Sequence, residues 1–597
     1  MEESAKETNN MNVVIMGGGP AGLTAAYELS KKHIKATVLE KDKVVGGISR
    51  TVNYKNYLFD IGGHRFFTKI SAVNKIWKDV LGNNFLRRKR LSRIYFNKKF
   101  FYYPLRPFNA LYGLGIWNCF LILFSYLYAH LFPSKMEDNF EQWVSNRFGK
   151  RLYQIFFKTY TEKVWGISCR EIRAEWAAQR IKGLSLMSAL KNSITKPQNN
   201  DRKERIIKTL IDEFDYPKYG PGMLWEAISE YVQKKGTQVC RNTKVVGILC
   251  NNYKIDSIEV RQNGQNRLIH GSHFISSLPL RELIQIFKPS VPEKILNASN
   301  QLNYRDFITI VLIVNKRNIF NDNWIYIHDQ DVKLSRIQNF KNWSPYMVPD
   351  KNKTCLGLEY FCFEEDELWA TSDQDLFELG KRELEALGLA QGCDVEDHTV
   401  FRMPKAYPVY DSKYRNALKI IRQFLSKIDN IQVVGRNGMH KYNNQDHSML
   451  TAMYAVENIL GKNHNLWEVN ESQEYHEKDK IGMPDELILQ AFTKMDKSAF
   501  AIATGSVSGL LIFTATIWLV LKGGEVVGPN LQLLSQYFIG YSVTVTGAFI
   551  GAAYGILCGG TFGWLLAYMR NLSISFFINR IKKKEELSSF RDFSEHF

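Results

Sequence analysis

The sequence predicts an α/β chain: a discontinuous, doubly wound sheet with a helical region and an antiparallel-sheet region attached, followed by a C-terminal pair of apolar helices. Three observations predict it. Residues 12–40 run strand, glycine turn, helix, strand. Strand-like apolar segments recur far downstream, at 243–248 and just before Gly435. Two long stretches near the C-terminus carry no formal charge. Length and composition are compatible with this. The chain has 597 residues, enough for two to four domains, and its 45% apolar and 23% charged content excludes disorder or a fibre for the bulk of it.

The first element is NVVIM, an apolar run leading into Gly17-Gly18-Gly19-Pro20-Ala21-Gly22 and then LTAAYELSKK at helical period. Gly17, Gly19 and Gly22 form a G-x-G-x-x-G turn between strand and helix. Such glycines permit the turn, the close approach of a pyrophosphate and tight helix–strand packing, and the helix start faces the anion. KATVLE is a second strand ending at Glu40, the expected acceptor for a ribose 2′-hydroxyl. The pattern predicts a Rossmann-like dinucleotide site. Gly46 and Gly47 follow soon after, and FDIGGHRFFTK places Gly62, Gly63 and His64 in another glycine turn. TKVVGI (243–248), with Val245, reads as a strand near the adenine.

Residues 107–133 are apolar and long enough to span a bilayer. A single span would separate flanks that belong to one domain. Two readings stay open: a helix lying against the membrane with Trp117, Tyr126 and Tyr128 at the interface, or an unusually apolar core helix.

Residues 498–521 give 24 positions without a formal charge, roughly 36 Å of helix. Residues 526–569 are also uncharged, with the apolar part starting near Tyr537 and a short turn-like connection, LKGGEVVGPN, before it. Gly547, Gly551, Gly555, Gly559 and Gly563 recur every four residues, matched by Gly505 and Gly509. This is small-residue packing in lipid, and it predicts a two-helix transmembrane hairpin with a route to homo-oligomers. Lys494 and Lys497 before it, and Arg570, Arg580, Lys582, Lys583 and Lys584 after it, put both ends and the large N-terminal part on the cytoplasmic side of an inner membrane.

The balance of 78 basic against 60 acidic residues, +18, suits an anionic partner. The charge is spread along the chain and its C-terminal cluster adjoins a membrane helix, so anionic lipid is expected rather than nucleic acid. Eight scattered cysteines without a CxxC read as reduced thiols in a cytosolic compartment, with no zinc or disulfide framework expected. MEESAKETNN is polar, so no secretory signal is expected.

Several further blocks, in order, resemble UDP-galactopyranose mutases, within the wider amine oxidase and protoporphyrinogen oxidase superfamily. They are IGGHRFFT, LSRIYFNKKFFYYPLRPFN (91–109), GKRLYQIFFKTYTEKVWG (149–166) and VVGRNGMHKYNNQDHSMLTAMYAVENI (433–459), with weaker matches at YPKYGPGM, NYRDF and KAYPVYD. They cover roughly residues 12–460, and the second glycine pair is similar to the extended FAD fingerprint. The resemblance implies FAD, reduced if the chain is a mutase and used as a nucleophile on a sugar with no net oxidation. It places Arg436 and Asp446 beside FAD, Gly62, Gly63 and His64 along the flavin, and Tyr407, Tyr442 and Arg305 at a substrate diphosphate. Trp165 falls near the sugar.

Two positions depart from that family. Its lid arginine falls near Leu184 in QRIKGLSL, with Arg180 and Lys182 close but not aligned, and the acid of its tyrosine block is Asn444. A basic stretch (Lys191, Lys196, Arg202, Lys203, Arg205) reads as a substitute cation or a solvated loop.

The expected organisation is an FAD domain from 12–70, 216–280 and 430–465, a helical lid region over 71–215 and an antiparallel substrate region over 281–430. A linker (466–497), the hairpin (498–570) and a basic tail (571–597) complete it. The expected function is a membrane-anchored mutase acting on a nucleotide- or lipid-linked sugar in envelope glycan synthesis. The alternative is an FAD oxidoreductase of amine oxidase, desaturase or protoporphyrinogen oxidase type on a lipid-soluble substrate.

Overall fold

The computed structural model describes residues 11–177, 213–470 and 495–594, apart from 104, 106, 135, 175, 525 and 526. The chain divides into two compact units, 1–478 and 479–597. The lid positions near 180–184 and the basic stretch at 191–205 lie outside the described residues.

Strand Asn12–Met16 has no polar face because both of its faces are covered. Val13 and Ile15 pack under the helices Pro20–Lys31, Gly222–Lys234 and Gln445–Ile459. Val14 and Met16 point the other way, into a core shared with Val245, Leu280 and Ala417. The strand is central in a five-stranded parallel sheet ordered Ile431–Val433, His273–Ser276, Asn12–Met16, Lys35–Leu39, Gln238–Cys240. The sheet is therefore assembled from three distant parts of the chain, in agreement with the discontinuous α/β fold read from sequence. Strand Thr243–Asn251, which carries Val245, belongs to a separate four-stranded sheet beside it.

A seven-stranded sheet forms the second layer, in the order Val395–Pro408, Tyr304–Val314, Thr354–Cys362, Arg336–Asn339, Trp324–Ile327, Ser92–Phe96, Lys99–Tyr102. Tyr304–Val314 is buried along its whole length. The last two strands come from the segment expected to be helical. They form a hairpin over Asn97 and Lys98, both at positive φ, the tight geometry that matches strand twist. The hairpin then pairs in parallel with Trp324–Ile327, a contact no local sequence pattern signals.

The second unit contains two helices long and apolar enough to cross a membrane, Lys497–Lys522 and Val545–Ser573. Gly509 and Gly555 meet backbone to backbone: a Cβ on Gly555 would lie 2.9 Å from Gly509 Cα. Thr504 Oγ1 donates across the pair to Gly559 O at 2.9 Å. The connection is longer than the sequence suggested. Gly540 turns left-handed, the Thr544 hydroxyl accepts from Gly547 N, and the second helix therefore starts at Val545 rather than near Tyr537.

Candidate functional site

The cradle at the end of the parallel sheet is built by three glycine turns. Gly17 leaves the first strand at φ 105°, and a Cβ on Gly22 would sit 1.9 Å from Gly17 O, so the helix rests directly on the turn. That helix starts at Gly19 with no side-chain cap, Pro20 in its first turn and no acidic residue there, which leaves its positive end available to an anion. Gly46 donates its N–H to Gly18 O at 2.8 Å, and the position of a Cβ on Gly47 lies 3.3 Å from Gly19 Cα. Two backbone turns thus face each other without side chains between them.

Glu40 is buried, and burial raises its pKa while two backbone donors oppose the shift. Its Oε2 accepts from Gly18 N at 2.8 Å and its Oε1 from Asp42 N at 2.9 Å. The carboxylate expected to meet a ribose therefore also ties the glycine turn to the loop after the second strand. Val245 packs in the core beside Leu39 and Met16, under the same end of the sheet. Asp446 is buried in the first turn of helix Gln445–Ile459, its Oδ1 accepting from His447 N at 3.0 Å. Glycine-only surfaces where a Cβ would collide, an open helix start and a buried acid fit the pyrophosphate and ribose of a dinucleotide.

The third turn carries Gly62 at φ 83°. A Cβ there would lie 3.9 Å from both Arg336 Nη2 and Phe307, and Gly63 packs against Trp343. His64 donates from Nε2 to Ile61 O at 2.7 Å. Burial, with Arg436 and Arg336 close by, lowers its pKa to about 4, so the ring is neutral at neutral pH.

Around this turn the structure brings together most of the expected substrate residues. Tyr407 and Tyr442 stack at 5.4 Å, and the Trp165 ring lies 6.2 Å from each. The Arg436 guanidinium sits over both tyrosine rings, at 5.3 and 4.8 Å, and Nε donates to Asn443 O at 2.8 Å. Gly435, at φ 82°, lets this segment approach Ala21 at the start of the first helix.

Arg305 is the exception. Its backbone pairs with Tyr407, as expected of two residues at one site. Its guanidinium instead donates to Val164 O at 3.0 Å and Phe361 O at 2.9 Å, with Asp366 at 3.5 Å and the Phe363 ring at 4.1 Å. A Cβ on Gly166 would lie 2.6 Å from Arg305 Cζ, so the glycine of the TEKVWG block makes room for the arginine. The resemblance implies a diphosphate-facing arginine; here Nε and Nη2 turn to carbonyls, the buried Nη1 reaches only Asp366, and the guanidinium clamps the end of helix Thr159–Trp165 to the sheet. Lys163 pins the same helix, donating to Asp329 O at 2.6 Å and Leu334 O at 3.0 Å, and burial lowers its pKa to about 8.

Sequence reading missed Arg336 and Tyr160. Arg336 is buried beside Gly62, and its Nε donates to Glu359 at 2.6 Å from the neighbouring strand, where the two residues are register partners. Tyr160 stacks on His328 at 4.8 Å and meets Tyr326 edge-on at 5.3 Å. Burial raises the pKa of Tyr160, and Arg336 opposes the shift. Tyr160 lies inside the quoted GKRLYQIFFKTYTEKVWG block, 149–166, and was legible there. Arg336 sits in SRIQN, which carries no motif.

A family model for flavin containing amine oxidoreductases matches residues 20–411, more than half of the chain. The L-amino-acid oxidase of Crotalus adamanteus is 34% identical over 114 residues, 17% of this chain and 22% of that protein, so the match spans under a quarter of that relative. Among solved structures, reduced UDP-galactopyranose mutase superposes with a TM-score of 0.67 at 21% identity, covering 79% of this chain and 99% of that one. A redesigned putrescine oxidase superposes with a TM-score of 0.52 at 15% identity, covering 76% and 99%. These two likenesses establish the fold.

Proposed function

The chain belongs to the flavin containing amine oxidoreductase family and is an FAD-dependent enzyme, and from that premise we propose that it rearranges a sugar carried on a nucleotide or lipid diphosphate, in the manner of a mutase, while anchored in a membrane. One observation carries this reading. The wall beside the Gly62–His64 turn is hydroxylated and cationic, with Tyr160, Tyr326, Tyr407 and Tyr442 around Arg336 and Arg436, whereas a hydrocarbon substrate would call for an apolar wall.

Bound FAD supplies a ring that donates an electron pair when reduced or accepts a hydride when oxidised. The protein's own groups would do the rest. The glycine turns and Glu40 would hold the pyrophosphate and ribose. Burial raises the pKa of the Tyr407 phenol, so it stays protonated as a hydrogen-bond donor to a phosphate oxygen. Arg336, ion-paired with Glu359, presents guanidinium N–H dipoles that need no reorganisation. His64, neutral and donating from Nε2 to Ile61 O, would hold the glycine turn in shape and carry no extra proton at neutral pH. Trp165 closes the wall against water.

The C-terminal pair of helices and the lysines and arginines flanking it support anchoring in the inner membrane with both ends cytoplasmic, where polyprenyl-diphosphate sugars are made. A second reading, net oxidation of a lipid-soluble substrate, is favoured by Arg305, two of whose donors, Nε and Nη2, are turned to backbone carbonyls.

Anaerobic incubation of the dithionite-reduced protein with UDP-galactose and related sugar diphosphates separates the two. Sugar isomerisation with the flavin left in its starting redox state supports the mutase. Flavin reduction of the oxidised protein by an apolar substrate, without isomerisation, overturns it.

A further inference from the structure

The segment between the aromatic hairpin and helix Phe140–Phe148 forms two helices, Pro107–Leu114 and Ile116–Leu131, broken at Gly115 with φ 82°. The longer helix has 16 residues, or about 24 Å, short of a roughly 30 Å hydrocarbon core. Both flanks return to the same unit. Strand Lys99–Tyr102 joins the seven-stranded sheet, and Phe140–Phe148 packs in its core. The segment therefore does not span a membrane.

Nor is it a core helix. Ile122 and Tyr126, 7% and 5% exposed, are its buried residues, Ile122 in one core with Trp143, Phe148 and Leu152 and Tyr126 against Gly149. The opposite face is apolar and open: Ile116, Trp117, Phe120, Phe124, Leu127 and Leu131 are 78%, 72%, 58%, 62%, 50% and 73% exposed. At about 100° per residue these positions fill an arc of roughly 100°, a coherent face rather than scattered side chains. Contiguous exposure of this kind marks a docking surface.

The surrounding sequence identifies the occupant. Between Lys98 and Lys135 there is no acidic residue, and Lys98, Lys99, Arg106 and Lys135 bracket the two helices in sequence, with Lys99 donating to Gly113 O at 3.0 Å and Arg151 to Asn118 Oδ1 at 2.8 Å, whereas Arg87 and Arg93 are ion-paired to Asp215 and Asp322. An acid-free basic flank around a tryptophan-bearing apolar face complements the anionic headgroups and acyl boundary of a phospholipid bilayer.

We infer that the exposed face of Ile116–Leu131 is a monotopic membrane contact that seats the FAD unit on an anionic bilayer, independently of the C-terminal helices. The inference does not depend on which reaction the site performs.

The test uses the full chain reconstituted in vesicles of phosphatidylcholine and phosphatidylglycerol, with acyl-brominated lipid as quencher. The fluorescence of Trp117 is taken as the difference between wild type and Trp117→Phe. The C-terminal helices are read separately through Trp518→Phe. Docking predicts that brominated lipid quenches the Trp117 difference signal at least twofold, that aqueous iodide quenches it less than it does in detergent, and that omitting phosphatidylglycerol reverses both effects. Iodide access with no bromolipid effect overturns the inference, whatever Trp518 reports. Shielding from both quenchers that grows with protein concentration assigns the face to a second copy and also overturns it. Bromolipid quenching that persists without phosphatidylglycerol overturns the anionic-lipid assignment.

Discussion

Alanine at Gly19 separates the cradle's role in binding from its role in folding. A Cβ on Gly19 meets only Gly47 Cα at 3.8 Å and Gly47 N at 3.9 Å, which is ordinary van der Waals contact. Gly19 is the N-cap of helix Pro20–Lys31 at φ −81°, a conformation open to alanine. Losing a glycine N-cap costs up to about 1 kcal/mol, and the smaller entropy of the unfolded chain returns about 0.4–1 kcal/mol. Apo stability should therefore change by less than about 1 kcal/mol. The same methyl enters the gap between the two glycine turns, where the pyrophosphate must approach backbone N–H groups. Losing one or two charge-assisted hydrogen bonds at about 1.5–2 kcal/mol each raises the FAD Kd by roughly 10- to 1000-fold. The assay is flavin content of the purified protein and FAD titration of the apoprotein, beside denaturant unfolding of the apo form. Gly22→Ala is the contrast. Its Cβ would start 1.9 Å from a backbone oxygen, so helix and strand must part by about 1.5 Å, at a cost of about 1–3 kcal/mol of strain on top of lost FAD. A Gly19→Ala protein with wild-type flavin content and affinity would refute the placement of the cofactor.

Three other outcomes follow from buried groups and close packing. Glu359→Leu leaves Arg336 without its buried partner and should destabilise by about 3–5 kcal/mol in chemical denaturation, while Arg336→Met with Glu359→Leu should recover most of that loss. His64 has its pKa lowered from 6.5 to about 4, so the unfolded chain binds the extra proton first. Its share of stability is complete above pH 6.5 and is lost as pH falls towards 4, and His64→Gln should flatten unfolding free energy against pH across that window. Gly555→Ile forces apart helices that touch at Gly509, so cysteines introduced at facing positions of Lys497–Lys522 and the second helix should cross-link at less than half the wild-type rate.

How far the sequence could be read depended on where the information lay. The dinucleotide cradle was legible because glycine spacing records backbone geometry directly, and the structure sets Gly22 against Gly17, Gly46 against Gly18 and Gly47 against Gly19. Tyr407, Tyr442 and Trp165 were legible through resemblance, and they do converge. Arg305 was placed on the right strand, but the turn of its Nε and Nη2 to backbone carbonyls was not legible, because a sequence position does not fix which way a long side chain turns. Phe363 and Asp366, beyond the neighbouring strand, capture it. Arg336 carried no signal at all. Its meaning arises from register pairing with Glu359 and from the approach of the Gly62 turn, both set by tertiary structure.

The order of strands in the parallel sheet has a consequence for biosynthesis. Strand Asn12–Met16 leaves the ribosome first, yet the partner on one of its sides is His273–Ser276, and the sheet's edge on that side, Ile431–Val433, comes later still. At roughly 5–20 residues per second, the nascent first strand waits on the order of 10–50 s for that neighbour. Through that interval its unpaired backbone edge is open to wrong pairing. The wall that Arg436 builds with Tyr407 and Tyr442 is complete only after that later segment has docked.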